Sequence, residues 1–254
     1  MSARIIPTQG IHNFRDYGGY ASRFGGHVRQ GLLFRSGQHC DATAEDLAHV
    51  SRLGLQTIID LRSDAERELY PCARAQDHQA EVVFTPGNPL GLGSHVDAGA
   101  GVRTAPEAHR AMVDLYRHMP FRPILTQTIR SFFDRLSARA APSLVHCLAG
   151  KDRTGLAVAL VHHQLGVHRD DIIADYLLTN SVGNAQDRIA AGAQAVRSNF
   201  GQDMDDAAVA TLMSVHADYL DTAFDAIGDI DAYCAEVLHI TPAQQEALRL
   251  AYLG

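Results

Sequence analysis

The sequence is poor in cysteine, has no excess of positive charge and lacks long apolar runs, and each shortage closes off a class of function. Its 254 residues include four cysteines, Cys40, Cys72, Cys147 and Cys234, widely separated and without paired spacing. Neither a zinc ribbon nor a disulfide framework is suggested, and a reducing compartment fits. A formal charge of −7 leaves no basic stripe for nucleic acid, so attraction for an anionic substrate has to be local. No apolar run approaches a membrane span, and the first seven residues, Met1 to Pro7, lack the apolar core of a signal peptide. A cytoplasmic protein is expected, with signal-free export as the alternative. Fourteen histidines are scattered rather than grouped at ligand spacing, so no metal and no other cofactor is expected. Repeats and low-complexity tracts are absent, and the length suits one domain over residues 1–254. Nothing in these properties sets an oligomeric state.

What is present alternates between strand-like and helix-like segments. Residues 10–36 carry Gly18-Gly19 and Gly25-Gly26 among short apolar runs and read as a hairpin or turn-rich lead-in. A helix is predicted from Thr43, with Leu47, Val50 and Leu53 on one face and Gly54 as its cap. Strand Leu55 to Leu61 follows, and Ser63-Asp64-Ala65-Glu66 has the spacing of a capping box. Strand Glu81 to Thr85 leads into a glycine-rich connection, Gly87 to Gly101, of a length often functional or mobile. Helices are expected from Pro106 to His118 and from Pro123 to Ala138. Beyond Gly166 the chain reads as helical, with breaks near Gly183, Gly201, Gly228 and Thr241. This order implies an α/β fold, a mainly parallel sheet flanked by helices with a helix-rich C-terminal part.

The chemistry concentrates in His146-Cys147-Leu148-Ala149-Gly150-Lys151-Asp152-Arg153-Thr154-Gly155. Ser143-Leu144-Val145 before it reads as a buried strand, and the apolar run after it as a helix closing at Gly166. In a strand-loop-helix unit the amides from Leu148, Ala149 and Gly150 to Arg153 can form a concave nest, reinforced by the helix N-terminus. An anion is favoured there, and the same field favours Cys147 as thiolate over thiol. Arg153 suits the equatorial oxygens of a phosphoryl group, since its planar fork holds two of them at once. Thr154 is placed to hydrogen-bond the thiolate as it leaves, and His146 to order the loop.

The pattern His-Cys-x-x-Gly-x-x-Arg-Thr-Gly resembles the active-site loop of the protein tyrosine phosphatase superfamily. With Lys151-Asp152 it resembles a bacterial tyrosine phosphatase family whose members also act on phosphoinositides, and it is similar to the tensin-homologue lipid phosphatases in its lysine. Asn13-Phe14-Arg15-Asp16-Tyr17-Gly18-Gly19, Leu33-Phe34-Arg35-Ser36, Ile58-Ile59-Asp60-Leu61-Arg62-Ser63 and Ala174 to Asn180 also resemble segments of the bacterial family. The likeness covers most of the chain, least diagnostically in Gly87 to Gly101 and the last fifty or so residues. It implies a cysteine-dependent phosphatase that forms a cysteinyl-phosphate intermediate on Cys147. Phosphotyrosine is the implied substrate, with phosphoinositides and phosphoserine or phosphothreonine open because of Lys151.

Several residues keep two readings. Gly150-Lys151 is not a nucleotide-binding loop, because Asp152 stands where Ser or Thr is required and Val145 where the first glycine is. Lys151 is then a second cation over the phosphate or a ring phosphate, or else a solvated loop lysine. Related phosphatases supply the acid from a separate loop, yet the segment from Pro86 to Gly93 contains no carboxylic acid. Asp152 is one candidate, either as catalytic acid or as a fixed acceptor that orients Arg153 or the hydrolytic water. Asp97 is another. Asp60 is expected to pair Arg62 or a loop amide, with proton transfer as its lesser reading, and Arg35 is either a substrate contact or half of a buried ion pair. His162 and His163 are read as packing residues, one of them facing the core. Two further functions compete with hydrolysis: sulfur transfer through a persulfide, and a phosphoprotein-binding module that keeps the nest with little turnover.

Overall fold

A computed structural model describes residues 4–89, 101–182, 193 and 204–254 of the protein. Strands β1 (Arg15–Asp16), β2 (Leu33–Ser36), β3 (Thr57–Asp60), β4 (Glu81–Val83) and β5 (Ser143–His146) form one sheet in the order β1-β2-β5-β3-β4. β1 pairs antiparallel with β2, and the remaining neighbours run parallel. This is the α/β arrangement expected from the sequence. β5 lies at the centre with a partner on each side and all four residues buried. The pairing register sets Ser36, His146 and Asp60 side by side at the carboxyl ends of three parallel strands, where α/β sheets bind ligands.

Side chains alternate across the sheet with the period of two that strands impose. Leu33, Ile59 and Val145 point into the larger core, and their neighbours Phe34, Ile58 and Leu144 into a smaller one with Phe14, Val50 and Leu55. Helix α1 (Ala44–Arg52) contributes Val50 to the smaller core; Thr43 and Asp46 close a capping box at its start. α2 (Asp64–Leu69) opens on the Ser63/Glu66 box expected from the sequence. α3 (Ala105–His118) and α4 (Pro123–Ala138) each begin with proline in the first turn, where a missing N–H costs nothing. α5 (Asp152–Gln164) follows the central strand and is buried on nearly every side, as expected of a helix apolar all round.

The C-terminal part adds α6 (Arg169–Leu177), α7 (Asp206–Met213), α8 (Ala217–Ile227), α9 (Ile230–Glu236) and α10 (Pro242–Tyr252). Gly228 ends α8 at φ +73°, and Thr241 caps α10, both at expected breaks. Gly183 and Gly201 lie outside the described residues, as does most of the glycine-rich connection. The lead-in forms a hairpin, with Ala21 bridged to His27 across Gly25 and Gly26. No described helix is long and apolar enough to cross a membrane.

Candidate functional site

β5 ends at His146, and the loop that follows turns back into α5 at Asp152. Gly150 makes that turn: its φ is +65°, and a Cβ there would lie 2.4 Å from the Ser36 backbone. Only glycine brings the loop this close to β2. The loop carbonyls are drawn outward, that of Leu148 by the Gln38 amide at 2.9 Å and that of Gly150 by Asn13 Nδ2 at 2.6 Å and Arg35 Nη2 at 3.0 Å. In a planar trans peptide the N–H lies opposite the carbonyl. The amides of Ala149 and Lys151 are therefore turned away from these partners, toward the inner side of the loop.

A buried polar network stands beneath. Arg35 is fully buried, and its Nη1 donates to Asp175 Oδ2 at 2.9 Å. Of the two readings of Arg35 the ion pair is the one seen: the guanidinium is buried against Asp175 and grips the loop through the Gly150 carbonyl. Arg15 shares Asp175, donating from Nε to Oδ1 at 3.3 Å, and also binds the side chain of Asn13. Burial and then the charge of Arg35 lower Arg15 to about 10, while Asp175 opposes them. The segments around Asn13, Arg35 and Asp175 thus meet under Gly150.

Arg153 is 2% exposed and held by a residue that the sequence marks only as a helix cap. Its Nη1 and Nη2 donate to the two oxygens of Glu66 at 2.6 and 2.7 Å, and Nη1 also donates to the Leu61 carbonyl at 3.1 Å. Burial alone would lower Arg153, but Glu66 outweighs it and raises the guanidinium above its ordinary range. A guanidinium has five N–H donors. Glu66 takes the end-on edge and the Leu61 carbonyl the other Nη1 hydrogen, leaving Nε–H and the second Nη2 hydrogen without a partner among the described residues. Those two donors form the second bidentate edge.

Cys147 is a free thiol, 2% exposed, and interacts electrostatically with Arg153. Thr154 Oγ1 is buried without a hydrogen-bond partner among the described residues. The His146 carbonyl accepts from the Leu61 amide at 2.8 Å, and its ring lies 5.7 Å from that of His39. Burial, opposed by Asp60, pushes the His146 imidazole down to about 4, so it is neutral near pH 7. Asp60 accepts from Arg62 Nε at 2.8 Å and Nη2 at 2.7 Å, the pair expected from their spacing. Burial would raise its carboxyl, yet His146 and Arg62 hold it well below the ordinary range.

Asp152 is 6% exposed, and its Oδ1 accepts a 2.7 Å hydrogen bond from the Tyr116 phenol. Lys151 Nζ stands 3.6 Å from Asp152 Oδ2 and donates to the carbonyls of Leu212 and Ser214. The lysine is 4% exposed, so it is neither the solvated loop residue nor, in this arrangement, a cation pointed only at a ligand. Asp97 lies outside the described residues. On the connection that carries it, the Gly87 amide is bound by Asp64 Oδ2 at 2.7 Å. His162 is the core-facing member of its pair, with Nε2 2.7 Å from the Tyr17 carbonyl, and His163 meets Asp231 at the surface. Glu66 and Tyr116 are the residues that sequence reasoning missed. Glu66 gave a signal in its capping box, whereas Tyr116 gave none.

The profile of the tyrosine phosphatase family matches residues 6–254. A protein of Cupriavidus necator that carries the name of a tyrosine-protein phosphatase is 35% identical over 249 residues, covering 96% of this chain and 86% of its own. A Mycobacterium tuberculosis protein named triple specificity protein phosphatase PtpB is 33% identical over 212 residues, covering 75% of this chain and 74% of its own.

Proposed function

Because the chain belongs to the tyrosine phosphatase family and is a cysteine-dependent phosphatase, we propose that Cys147 is its nucleophile, Arg153 its phosphoryl clamp and Asp152 its proton-transfer group. The Cys147 thiolate attacks phosphorus in line, and the bond from phosphorus to the ester oxygen breaks. Asp152 gives its proton to the departing oxygen. Water then attacks the cysteinyl phosphate, Asp152 takes a proton back, and the thiolate leaves as inorganic phosphate forms. The amides of Leu148, Ala149 and Gly150 to Arg153 and the guanidinium stabilise the equatorial oxygens. Thr154 Oγ1, buried and without another partner among the described residues, donates to the thiolate.

The observation that carries this reading is the divided guanidinium of Arg153. Glu66 fixes the plane from one edge, and the other presents two parallel donors matched to two phosphoryl oxygens. Phosphotyrosine is the proposed substrate, in a phosphorylated protein. The burial of Cys147 supports it, since a ring's length carries the phosphate to a recessed thiol. The tether of Lys151 to Leu212 and Ser214 supports it over phosphoinositides, because the ammonium is already engaged. The name of the M. tuberculosis relative makes phosphoserine, phosphothreonine and lipid phosphates the comparison arms. We read residues 1–254 as one catalytic domain, and four free thiols support a cytoplasmic setting.

The test is hydrolysis of an aryl phosphate by the wild type, Cys147→Ser and Arg153→Ala, with phosphotyrosine, phosphoserine and phosphoinositide substrates in parallel. Cys147→Ser is expected to be inactive and Arg153→Ala slower by about a thousandfold, the scale of a lost transition-state clamp. Turnover retained by Cys147→Ser would sink the mechanism, and equal rates on all three substrate classes would overturn the tyrosine preference.

A further inference from the structure

The carboxylate of Asp152 is not positioned by its own loop. Two helices distant in sequence, α3 and α6, hold it. Tyr116, on α3, reaches Oδ1 at 2.7 Å, and Tyr176, on α6, stands 2.6 Å behind with its hydroxyl against that of Tyr116. Both phenols are buried, at 0% and 1% exposure. Burial and then the charge of Asp152 raise both well above the usual phenol range, so both keep their protons. A phenol has one hydrogen to give. Tyr116 gives it to Asp152, so Tyr176 supplies the hydrogen between the two hydroxyls, and the chain has a direction: Tyr176 to Tyr116 to Asp152 Oδ1.

The last glycine of the loop motif serves this arrangement. Gly155 has no special backbone angle, but a Cβ there would lie 2.8 Å from the Tyr176 ring. Its role is to let the ring lie against the first turn of α5. On the other side, Lys151 Nζ remains 3.6 Å from Oδ2, beyond hydrogen-bond reach, because Leu212 and Ser214 hold it. Asp152 is the first helical residue and Lys151 the N-cap, so the start of the helix does not by itself fix the carboxylate. The phenol supplies the fixed partner.

We propose that Tyr116, backed by Tyr176, is a positioning residue that commits Oδ1 of Asp152 and so leaves Oδ2 as the oxygen that exchanges the proton, first with the leaving group and then with water. The inference rests on the proton-transfer role proposed for Asp152. Its effect is felt where protonation limits the rate. Substrates with poor leaving groups depend on it, and good leaving groups depart without it.

The experiment compares wild type, Tyr116→Phe, Tyr176→Phe, Asp152→Asn and the Tyr116→Phe/Asp152→Asn double variant on aryl phosphates of graded leaving-group pKa. Tyr116→Phe is expected to lower kcat about tenfold on the poorest leaving groups and little on p-nitrophenyl phosphate, with KM unchanged, a fraction of the full general-acid contribution. Tyr176→Phe is expected to show the same pattern more weakly. In the Asp152→Asn background, Tyr116→Phe is expected to change nothing further. Equal slowing of all leaving groups, wild-type rates in Tyr116→Phe, or the same fold loss with and without Asp152 would overturn the inference while leaving Asp152 in place. If Asp152→Asn itself shows no leaving-group-dependent loss, the reading of Asp152 fails and takes this inference with it. Should Tyr116→Phe not fold, Tyr176→Phe, one hydroxyl further from Asp152, carries the same comparison.

Discussion

Arg153 and Glu66 show how a single contact sets what a side chain proposed as catalytic has left to offer. Arginine is a strong phosphate ligand only when its plane is held, and here a carboxylate 87 residues earlier in the chain holds it. Glu66→Gln puts an amide NH2 against a guanidinium N–H and removes the charge. The expected result is a fall in kcat/KM of about ten- to a hundredfold on an aryl phosphate, the scale of a misplaced catalytic group. Steady-state kinetics check it, and unaltered kcat/KM would show that the loop alone orients Arg153. The cap of α2 is kept, since glutamine serves at this position of a capping box as Gln244 does in the last helix, so little loss of stability is expected. At this scale the legible residues were local: Cys147, Gly150 and Arg153 lie in one loop, and Asp60 pairs with Arg62 two positions on. Arg35 was undecidable, because its partner Asp175 is 140 residues away.

Elements were readable where their signals are internal. α4 begins at Pro123 and ends at Ala138 as its apolar spacing predicts. β3 is shorter than its apolar run, Leu55 to Leu61, because a strand extends only as far as its partner: the four residues of β5 pair with Thr57 to Asp60. α5 shows how packing overrides propensity. Replacing a helical glycine with alanine ordinarily stabilises by about 1 kcal/mol. At Gly155 the added methyl meets the Tyr176 ring, and overpacking of that kind costs about 1–3 kcal/mol. Gly155→Ala is therefore expected to lower the thermal midpoint and to slow turnover through Tyr176 and Asp152; a raised midpoint with full activity would contradict the packing account.

The protein buries His39, His146 and His162 as neutral imidazoles, two under the loop and one against Tyr17. Burial is the largest cause in each and lowers all three, His146 to about 4. Each binds a proton less readily folded than unfolded, so unfolding takes up protons below about pH 6.5 and stability falls as pH drops through that window. Asp60 and Asp175, held below the ordinary carboxylate range, act in the same direction at lower pH, and Asp16, raised by burial, offsets part of this. Thermal unfolding between pH 7 and pH 5 is expected to show a falling midpoint, with an uptake of about two to three protons. A flat profile would mean that these histidines are not buried neutral. The sequence by itself determined the α/β class, the strand-loop-helix unit and the loop that carries the proposed nucleophile and clamp, since those depend on contiguous residues and on the periods of strand and helix. Only the tertiary structure decided which edge of Arg153 is left open, what Arg35 pairs with and what holds Asp152. Each depends on a partner brought close by the sheet order and the helix packing, and separation along the chain carries no trace of such a meeting.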